Sequence, residues 1–565
     1  MAYYARRAQG GCGLIIVGEL SIHPNDRPWE SVIEAYHPQV VKDYRRLGAE
    51  IHKHGTLAFA QLCHHGFQSS GAISRQAVWG PSAMADIAFG ETAKPMEPED
   101  IEEALEAFSK AAIFAREGGL DGVEIDMGPE SLLRQFLSPI SNHRQDEYGG
   151  SLENRIRFPM QVLERVSKAV GRDFTVGIRL CVDEKFWGGI TAEESTKIAH
   201  RFEMTGRCHF INVSLGTYYN LHLVLASMHT PNGLTLDLAE KTKKAVSIPV
   251  IASHQIGFPQ MAEDMVCKGQ ADAIGLVRSL ISDPDAPRKA REGRTEDIRY
   301  CVKDNKGCLG RINQAKTLSC TQNPEVGYEE MARERSHTAA AAKKKVMVVG
   351  GGPAGLEAAR VAKARGHDVT LYEKAEVLGG QVNLIGKRPG RQPMAGIVQY
   401  LSTALKKLQV PVTTGVEVTQ ELVLGMKPDV VIVATGSRPR ERPVPGDYGP
   451  PQVLNVWEAL SGNYSLGQNV LFVDENGGHH ASATVELFAD QGKKVTMVTS
   501  DLFIGIELAS LGDLYLTRQR LLQKGVTFMT DILIDLIAGD KVMGRDLYSH
   551  EPLSFEGYET IVLDM

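Results

Sequence analysis

The sequence predicts an α/β chain in which an N-terminal (β/α)8 TIM barrel is followed by two Rossmann-like α/β domains. Three observations predict it. Seven short apolar runs alternate with amphipathic stretches before residue 280, a glycine-rich turn near residue 350 opens a strand, helix, strand unit, and a second such unit opens at residue 469. Strands and helices that alternate in this way build parallel sheet, because a parallel crossover needs a helix to bring the chain back.

The apolar runs are GLIIVGE (13–19), TLAFAQL (56–62), DGVEID (121–126), TVGIRL (175–180), HFINVS (209–214), IPVIAS (248–253) and ADAIGL (271–276). Between them lie helical periods such as PEDIEEALEAFSKAAIFAREGG, opened by acids and closed by glycine. Seven strands favour a closed eight-fold barrel over an open sheet, and leave it one short. The opening MAYYARRAQGG reads as helix, so the expectation is a barrel without its first strand. Barrel chemistry sits at the C-terminal strand ends. That directs attention to Gln61, Asp126, Arg179, Ser214 and the turns after residues 252 and 276. A polar residue there also serves simply to cap the next helix.

A charged, alanine-rich connector (331–345) precedes VMVVGGGPAGLEAARVAKARGHDVTLYEK. Here a strand runs into Gly350, Gly352 and Gly355, a helix follows, and a second strand ends at Glu373. This is a dinucleotide fingerprint in its required setting: glycines let the backbone approach a pyrophosphate, the helix N-terminus receives the charge, and the acid accepts from ribose hydroxyls. DVVIVATGSRPR (429–440) reads as another strand, and 469–500 as a second βαβ unit whose turn carries Asp474 and Glu475. That second unit reads either as a dinucleotide site or as an inert repeat. The last residues, ETIVLDM, lie inside a further strand, so the second domain is expected to be incomplete. The segmentation is 1–295 barrel, 296–330 cysteine loop, 331–345 linker, 346–465 first and 466–565 second nucleotide-binding-like domain.

A net charge of −7 over 565 residues argues against nucleic acid as a partner. No apolar stretch is long enough to span a membrane, and eight cysteines suit a reducing cytoplasm. Cys301, Cys308 and Cys320 fall within twenty positions, with Asp304 between the first two. Thiols this close suit an iron–sulfur cluster or zinc, the alternative being buried free thiols. A fourth ligand is then needed, and Asp304 offers an oxygen.

At this point the residues resemble a family. QLCHHGFQ, GLDGVEIDMGPESLLRQFLSPISNHRQDEYGGSLENRIRF, ADAIGLVRSLISDP, GGGPAGLEAA and VVIVATGSRP are similar to the long iron–sulfur branch of the old yellow enzyme family, the group of 2,4-dienoyl-CoA reductase, trimethylamine dehydrogenase and N-demethylases. The resemblance implies FMN in the barrel, a 4Fe-4S cluster in the connecting loop, FAD in the next domain and NAD(P)H as electron source. It places FMN contacts at Gln61, Arg179 and Arg278, and the FAD pattern on Gly350, Gly352, Gly355, Glu373 and Gln381. It also implies cluster ligation by Cys301, Cys308 and Cys320, with Asp304 standing where the family has a cysteine.

The departures bear on mechanism. Where the family carries H-x-x-H/N-x-Y, this chain has Asp126, Pro129 and Ser131, so the tyrosine proton donor is missing. Serine is a poor acid near neutral pH. Asp126 favours a cation, and Tyr218, Tyr219 and Trp187 are candidate aromatic walls for one. His254 and Val277 replace small phosphate-loop residues, and the His-x-Gly-Arg turn reads His64-His65-Gly66-Phe67. The expected activity is reduction of an unsaturated carbonyl or enoyl-CoA by a chain of NAD(P)H, FAD, cluster and FMN. The alternatives are oxidative N-demethylation of a methylated amine or betaine, and a degenerate flavin-binding protein. Asp126, Ser131 and Tyr218 are the catalytic candidates. Expected partners are a small-molecule substrate, NAD(P)H or an electron-transfer protein, and a second copy of the chain.

Overall fold

In a computed structural model the protein is described at every residue except 88, 336, 337, 442, 447 and 450. The chain divides into two compact units: Met1–Ala226 with Thr230–Thr295, and Ser227–His229 with Glu296–Met565.

The first unit is built on one parallel sheet. All seven apolar runs form strands in it: β1 (Leu14–Ser21), then, after β2 (Ile33–Glu34), β3 (Leu57–Cys63), and, after the two-residue pair β4 (Trp79–Gly80) and β5 (Lys94–Pro95), β6 (Gly122–Met127), β7 (Thr175–Cys181), β8 (Ile211–Ser214), β9 (Val250–Ala252) and β10 (Ala273–Ile274). The order is β10-β9-β8-β7-β6-β3-β1-β2, each ladder parallel. The eighth strand is thus β2, on the outer side of β1, where Leu20 faces Ile33 and Ser21 faces Glu34. Among the described residues no ladder joins β10 to β1 or β2. All six residues of β6 are buried, as expected of a parallel strand covered on both faces.

Helices cover the sheet by the periodicity the sequence shows. Pro98–Glu117 opens on a capping box between Glu97 and Asp100 with proline at its start, and buries Ile101, Ala104, Leu105, Phe108, Ala111, Ala112 and Ala115 on one stripe. It ends at Gly118 and Gly119, the latter at φ 73°.

The second unit holds two parallel sheets. In the first, β11 (Lys345–Val349), β12 (Asp368–Tyr372), β13 (Val412–Thr413) and β14 (Val430–Val433) lie in the order β13-β12-β11-β14. In the second, β15 (Gln452–Asn455), β16 (Asn469–Asp474), β17 (Lys494–Thr499), β18 (Thr527–Met529) and the final strand Thr560–Asp564 lie in the order β15, final strand, β16, β17, β18. A separate antiparallel sheet of β19 (Ile532–Ala538), β20 (Lys541–Asp546) and β21 (Pro552–Phe555) precedes that final strand, β22. Two segments differ from the sequence segmentation. β15 falls before residue 466 yet pairs with β22, Gln452 to Thr560 through Asn455 to Leu563. The connector begins as the helix Glu329–Arg335, and its residues 336 and 337 lie outside those described.

Candidate active site

The C-terminal ends of β1, β3, β6, β7 and β8 bring a ring of carboxyl groups together. The register of β1 against β3 is broken between Val17 and Leu20, and the bulge turns Glu19 toward the loop after β3. That loop is pinned by Gln135, whose amide donates to the His65 carbonyl at 2.7 Å and accepts from Phe67 N–H at 3.2 Å. Gly66, at φ 59°, is required there: a Cβ would come within 2.1 Å of Gln135 Oε1.

Within the ring, His65 lies between two acids. Its Nδ1 is 3.0 Å from Asp26 Oδ1 and its Nε2 3.0 Å from Glu19 Oε2. Burial alone would lower the His65 pKa, but Asp26 and then Glu19 push it well above the ordinary imidazole value. Asp26 is likewise opposed by burial and still falls to about 2 because of His65 and His64. The neighbouring His64 meets the Asn25 amide oxygen at 2.9 Å and stacks on Trp79, and burial lowers it to about 4. Two adjacent histidines are thus shifted in opposite directions, His64 downward by burial and His65 upward by its two carboxylate partners.

Glu130 closes the ring. It hydrogen-bonds Glu19, and burial, Glu19 and Asp126 together hold its carboxyl well above the usual range. Glu19 goes the other way: its burial is outweighed by His65, by the bond from Glu130 and by Arg179. Asp126, fully buried, is raised to about 6 by burial and Glu19 against Arg179; its Oδ2 accepts from the Cys63 thiol at 3.3 Å and its Oδ1 from Gly128 N–H at 3.0 Å. Arg179 sits among Glu124, Glu130, Asp126 and Glu19, which raise it against burial. Beneath the ring, Glu124 accepts from the Gln61 amide at 2.7 Å and from the Asn212 amide at 2.9 Å.

Of the catalytic candidates, Asp126 belongs to this ring. Burial, then the charges of Glu130 and Glu19, raise the Tyr218 phenol well above its ordinary value. Ser131 is engaged elsewhere, since its hydroxyl accepts from Arg134 N–H at 3.1 Å and caps the helix Leu132–Leu137. Tyr219 stacks on Phe186 at 5.0 Å, while Trp187 is 93% exposed. Glu19, Asp26, His65 and Glu130 were missed by sequence reasoning; the paired histidines after β3 were the available signal.

The barrel residues fit a flavin mononucleotide. Asn212 Oδ1 and Ser214 Oγ are buried with no hydrogen-bond partner at strand ends beside Gln61 and Arg179, an amide, hydroxyl and guanidinium set suited to a polar ring edge. At the turn after β9, His254 and Gln255 take φ values of 67° and 59°, and burial, Arg179 and Arg278 lower His254 to about 3. Arg278 donates to the Ala226 carbonyl at 2.5 Å.

In the second unit the glycine turn is tight enough to demand glycine. A Cβ on Gly355 would lie 1.9 Å from the Gly350 carbonyl oxygen, and one on Gly350, at φ 109°, 2.3 Å from Ala434 O. Glu373 Oε2 accepts from Gly351 N–H at 2.5 Å, so the acid stands over the turn. Gln381 donates to Ser437 Oγ at 3.1 Å at the wall of a cavity of about 480 Å³, whose lining includes Arg438, Trp457, Asn476 and His480. At the second βαβ turn, Asp474 Oδ1 accepts from Asn476 and Gly477 N–H, and burial raises its carboxyl to about 7.

The cysteine loop folds back on itself. Gln322 donates to Tyr300 O at 2.9 Å, Ser319 N–H to Gly307 O at 2.9 Å, and Thr321 Oγ1 to Asp304 Oδ2 at 2.7 Å. These bonds hold the segments bearing Cys301, Asp304, Cys308 and Cys320 side by side. Lys303 N–H donates to Cys301 Sγ and Gln322 N–H to Cys320 Sγ, each at 3.4 Å, the kind of amide donor that favours a thiolate ligand. The loop therefore fits a cluster. Among the described residues, a second group with metal-ligand chemistry is His229, His479 and Asp513. There Arg391 already donates to His229 Nε2 at 3.2 Å, while His479 Nε2 pairs with Asp513 at 2.8 Å.

A barrel with this polar face, joined to a second unit with a dinucleotide turn, defines a flavin- and pyridine-nucleotide-dependent oxidoreductase. Residues 1–297 match the NADH:flavin oxidoreductase / NADH oxidase family and residues 344–547 the pyridine nucleotide-disulphide oxidoreductase family. The chain belongs to the NADH:flavin oxidoreductase / NADH oxidase family, in its old-yellow-enzyme-like iron–sulfur branch. It is 36% identical over 519 residues to the NADH oxidase of Thermoanaerobacter brockii (91% of this chain, 79% of the relative). It is 35% identical over 544 residues to the N,N-dimethylglycine/sarcosine dehydrogenase of Chromohalobacter salexigens (94% and 78%). Among solved structures, a 2-naphthoyl-CoA reductase complex superposes with a TM-score of 0.92 at 30% identity, covering 100% of this chain and 86% of that one. The two matched families imply FMN in the first and FAD with NAD(P)H in the second. No helix among the described residues is long and apolar enough to cross a membrane.

Proposed function

We propose that the barrel reduces an unsaturated carbonyl or enoyl thioester, with Glu130 giving the proton that the family's missing tyrosine would give. The observation that carries this is the Glu130 carboxyl: buried, hydrogen-bonded to Glu19, meeting Asp126 and Arg179 around Gly128, and raised in pKa. A carboxyl held above its usual range by burial and neighbouring acids is the form of side chain that serves as a general acid. Ser131, occupied as a helix cap, takes no part in proton transfer. When bound, FMN supplies the hydride, FAD accepts a hydride from NAD(P)H, and the cluster carries single electrons between them.

Gln61, Arg179 and Arg278 hold FMN; Gly350, Gly352, Gly355, Glu373 and Gln381 hold FAD; Cys301, Asp304, Cys308 and Cys320 hold the cluster. Support comes from the orphaned polar atoms at the barrel mouth, the glycine clearances and the amide donors to sulfur described above. Among the described residues no cysteine is in a disulfide, which suits a reducing compartment.

A second reading, oxidation of an N-methylated amine, is favoured by the acid ring itself, since Glu19, Asp26, Asp126 and Glu130 surround one arginine and one imidazole. A relative named as a dimethylglycine/sarcosine dehydrogenase accords with it. The test is anaerobic, and mixes NAD(P)H-reduced enzyme with a panel of enoyl thioesters and enoates. Reoxidation of the flavin supports the reductase. Flavin that stays reduced with the whole panel, but is bleached from the oxidised state by dimethylglycine or N-methylproline, overturns it in favour of the amine.

A further inference from the structure

We propose that His65 is the positioning residue of the proton donor: as an imidazolium clamped between Asp26 and Glu19, it keeps Glu19 an anion, so that Glu130 donates the hydrogen bond between the two carboxyls and retains the proton. Two observations carry it. His65 is fully buried and within 3.0 Å of one oxygen of each acid, so both ring nitrogens face an acceptor. A ring with acceptors on both sides satisfies them only when both nitrogens carry hydrogen. Asp26, whose side chain is 0% exposed, also accepts from His65 N–H at 2.9 Å, and it has no Lys or Arg in its ion pair. A buried carboxylate needs a partner charge, and His65 is the one in contact.

The consequence runs through Glu19. With His65 charged, one hydrogen-bond site of Glu19 is filled by a cation, and its bond with Glu130 must then be donated by the other carboxyl. The remaining charged or titratable groups do not alter this order. Arg179 acts on Glu19, Asp126 and Glu130 alike, the Cys63 thiol donates to Asp126, and His64 faces an amide. Glu130 thus keeps its proton because its partner is spoken for. Glu130's role rests on the reductase reading above, whereas the charge arrangement does not, so the two can fail separately.

Two measurements on the holoenzyme decide it without substrate. Nitrogen-15 histidine NMR at pH 8, with the resonance assigned by its loss in H65Q, is expected to show both His65 nitrogens protonated; a neutral tautomer at that pH overturns the proposal even if H65Q folds poorly, because D26N supplies an independent assignment by moving the same signal. Infrared difference spectra across a pH titration should then show one protonated-carboxyl component that E130Q removes, those of Asp126 and Asp474 remaining, and the midpoint of that component should rise by about one pH unit in H65Q, since removing a neighbouring cation weakens the anion. A midpoint unchanged in H65Q, or difference spectra of E130Q identical to those of the native protein, contradicts it. Failure of every enoyl substrate would instead remove the reductase reading and leave these outcomes standing.

Discussion

At the scale of single residues, chemistry is set by pairs rather than by residue types. His64 and His65 are adjacent in sequence and shifted in opposite directions, because burial governs the first and two carboxylates the second. Asp126 behaves as its burial requires. Its pKa is raised to about 6, so the native state binds its proton more tightly than the unfolded chain does. Stability from that group is present below the unfolded value near 4 and is lost as pH rises to about 6. D126N is therefore expected to melt at a higher temperature than the native chain at pH 8 and to show little or no gain at pH 4, a comparison that thermal melts at the two pH values check. Ser131 and Glu130 separate in the same way. S131A removes a helix cap and is expected to lose about 1 kcal/mol of stability. E130Q is expected to slow substrate reduction at least a hundredfold, roughly the lower bound for loss of a general acid, while flavin reduction by NAD(P)H keeps its rate; stopped-flow traces of the two half-reactions separate these.

Little of that was legible in the sequence. Asp126 and Tyr218 stood out because they occupy strand ends or depart from a family pattern. Glu19, Asp26 and His65 did not, because their meeting depends on β1 lying against β3 with a bulge at Gly18 and Glu19, a register that no local pattern records. Ser131 drew attention for its position in a motif, and such a position says nothing of whether a hydroxyl is already engaged as a cap.

Elements were more legible than residues. Seven apolar runs became seven strands, since a parallel strand buried on both faces must be apolar along its length. The eighth, Ile33–Glu34, has two residues and no such run, and β15 joins the second sheet from a stretch rich in proline and glycine. Two predictions belong at this scale. In the turn after β11, G355A drives a methyl into the Gly350 carbonyl, and the purified protein should carry markedly less FAD than FMN when the released flavins are quantified. In the cysteine loop, D304A should lower the iron content per chain if the carboxylate is a ligand, whereas D304C, which places a thiol there, should retain it; unchanged iron in D304A assigns the site to three cysteines and some other donor.

For the whole molecule, two units with different roles lie on one chain, a barrel that presents acids to a substrate and a nucleotide-binding half that carries the dinucleotide turn and the cysteine loop. The sequence carried this division through its glycine turn and its cysteine spacing, both of which are local signals. It did not carry the meeting of the buried carboxyls at the barrel mouth, which depends on strand register. The central claim is that those carboxyls store a proton for a substrate that the flavin reduces. Its most direct test is an anaerobic stopped-flow experiment in which NAD(P)H-reduced native protein and E130Q are each mixed with an enoyl thioester. The account predicts rapid flavin reoxidation in the native protein and at least hundredfold slower reoxidation in E130Q; equal rates in the two proteins would contradict it.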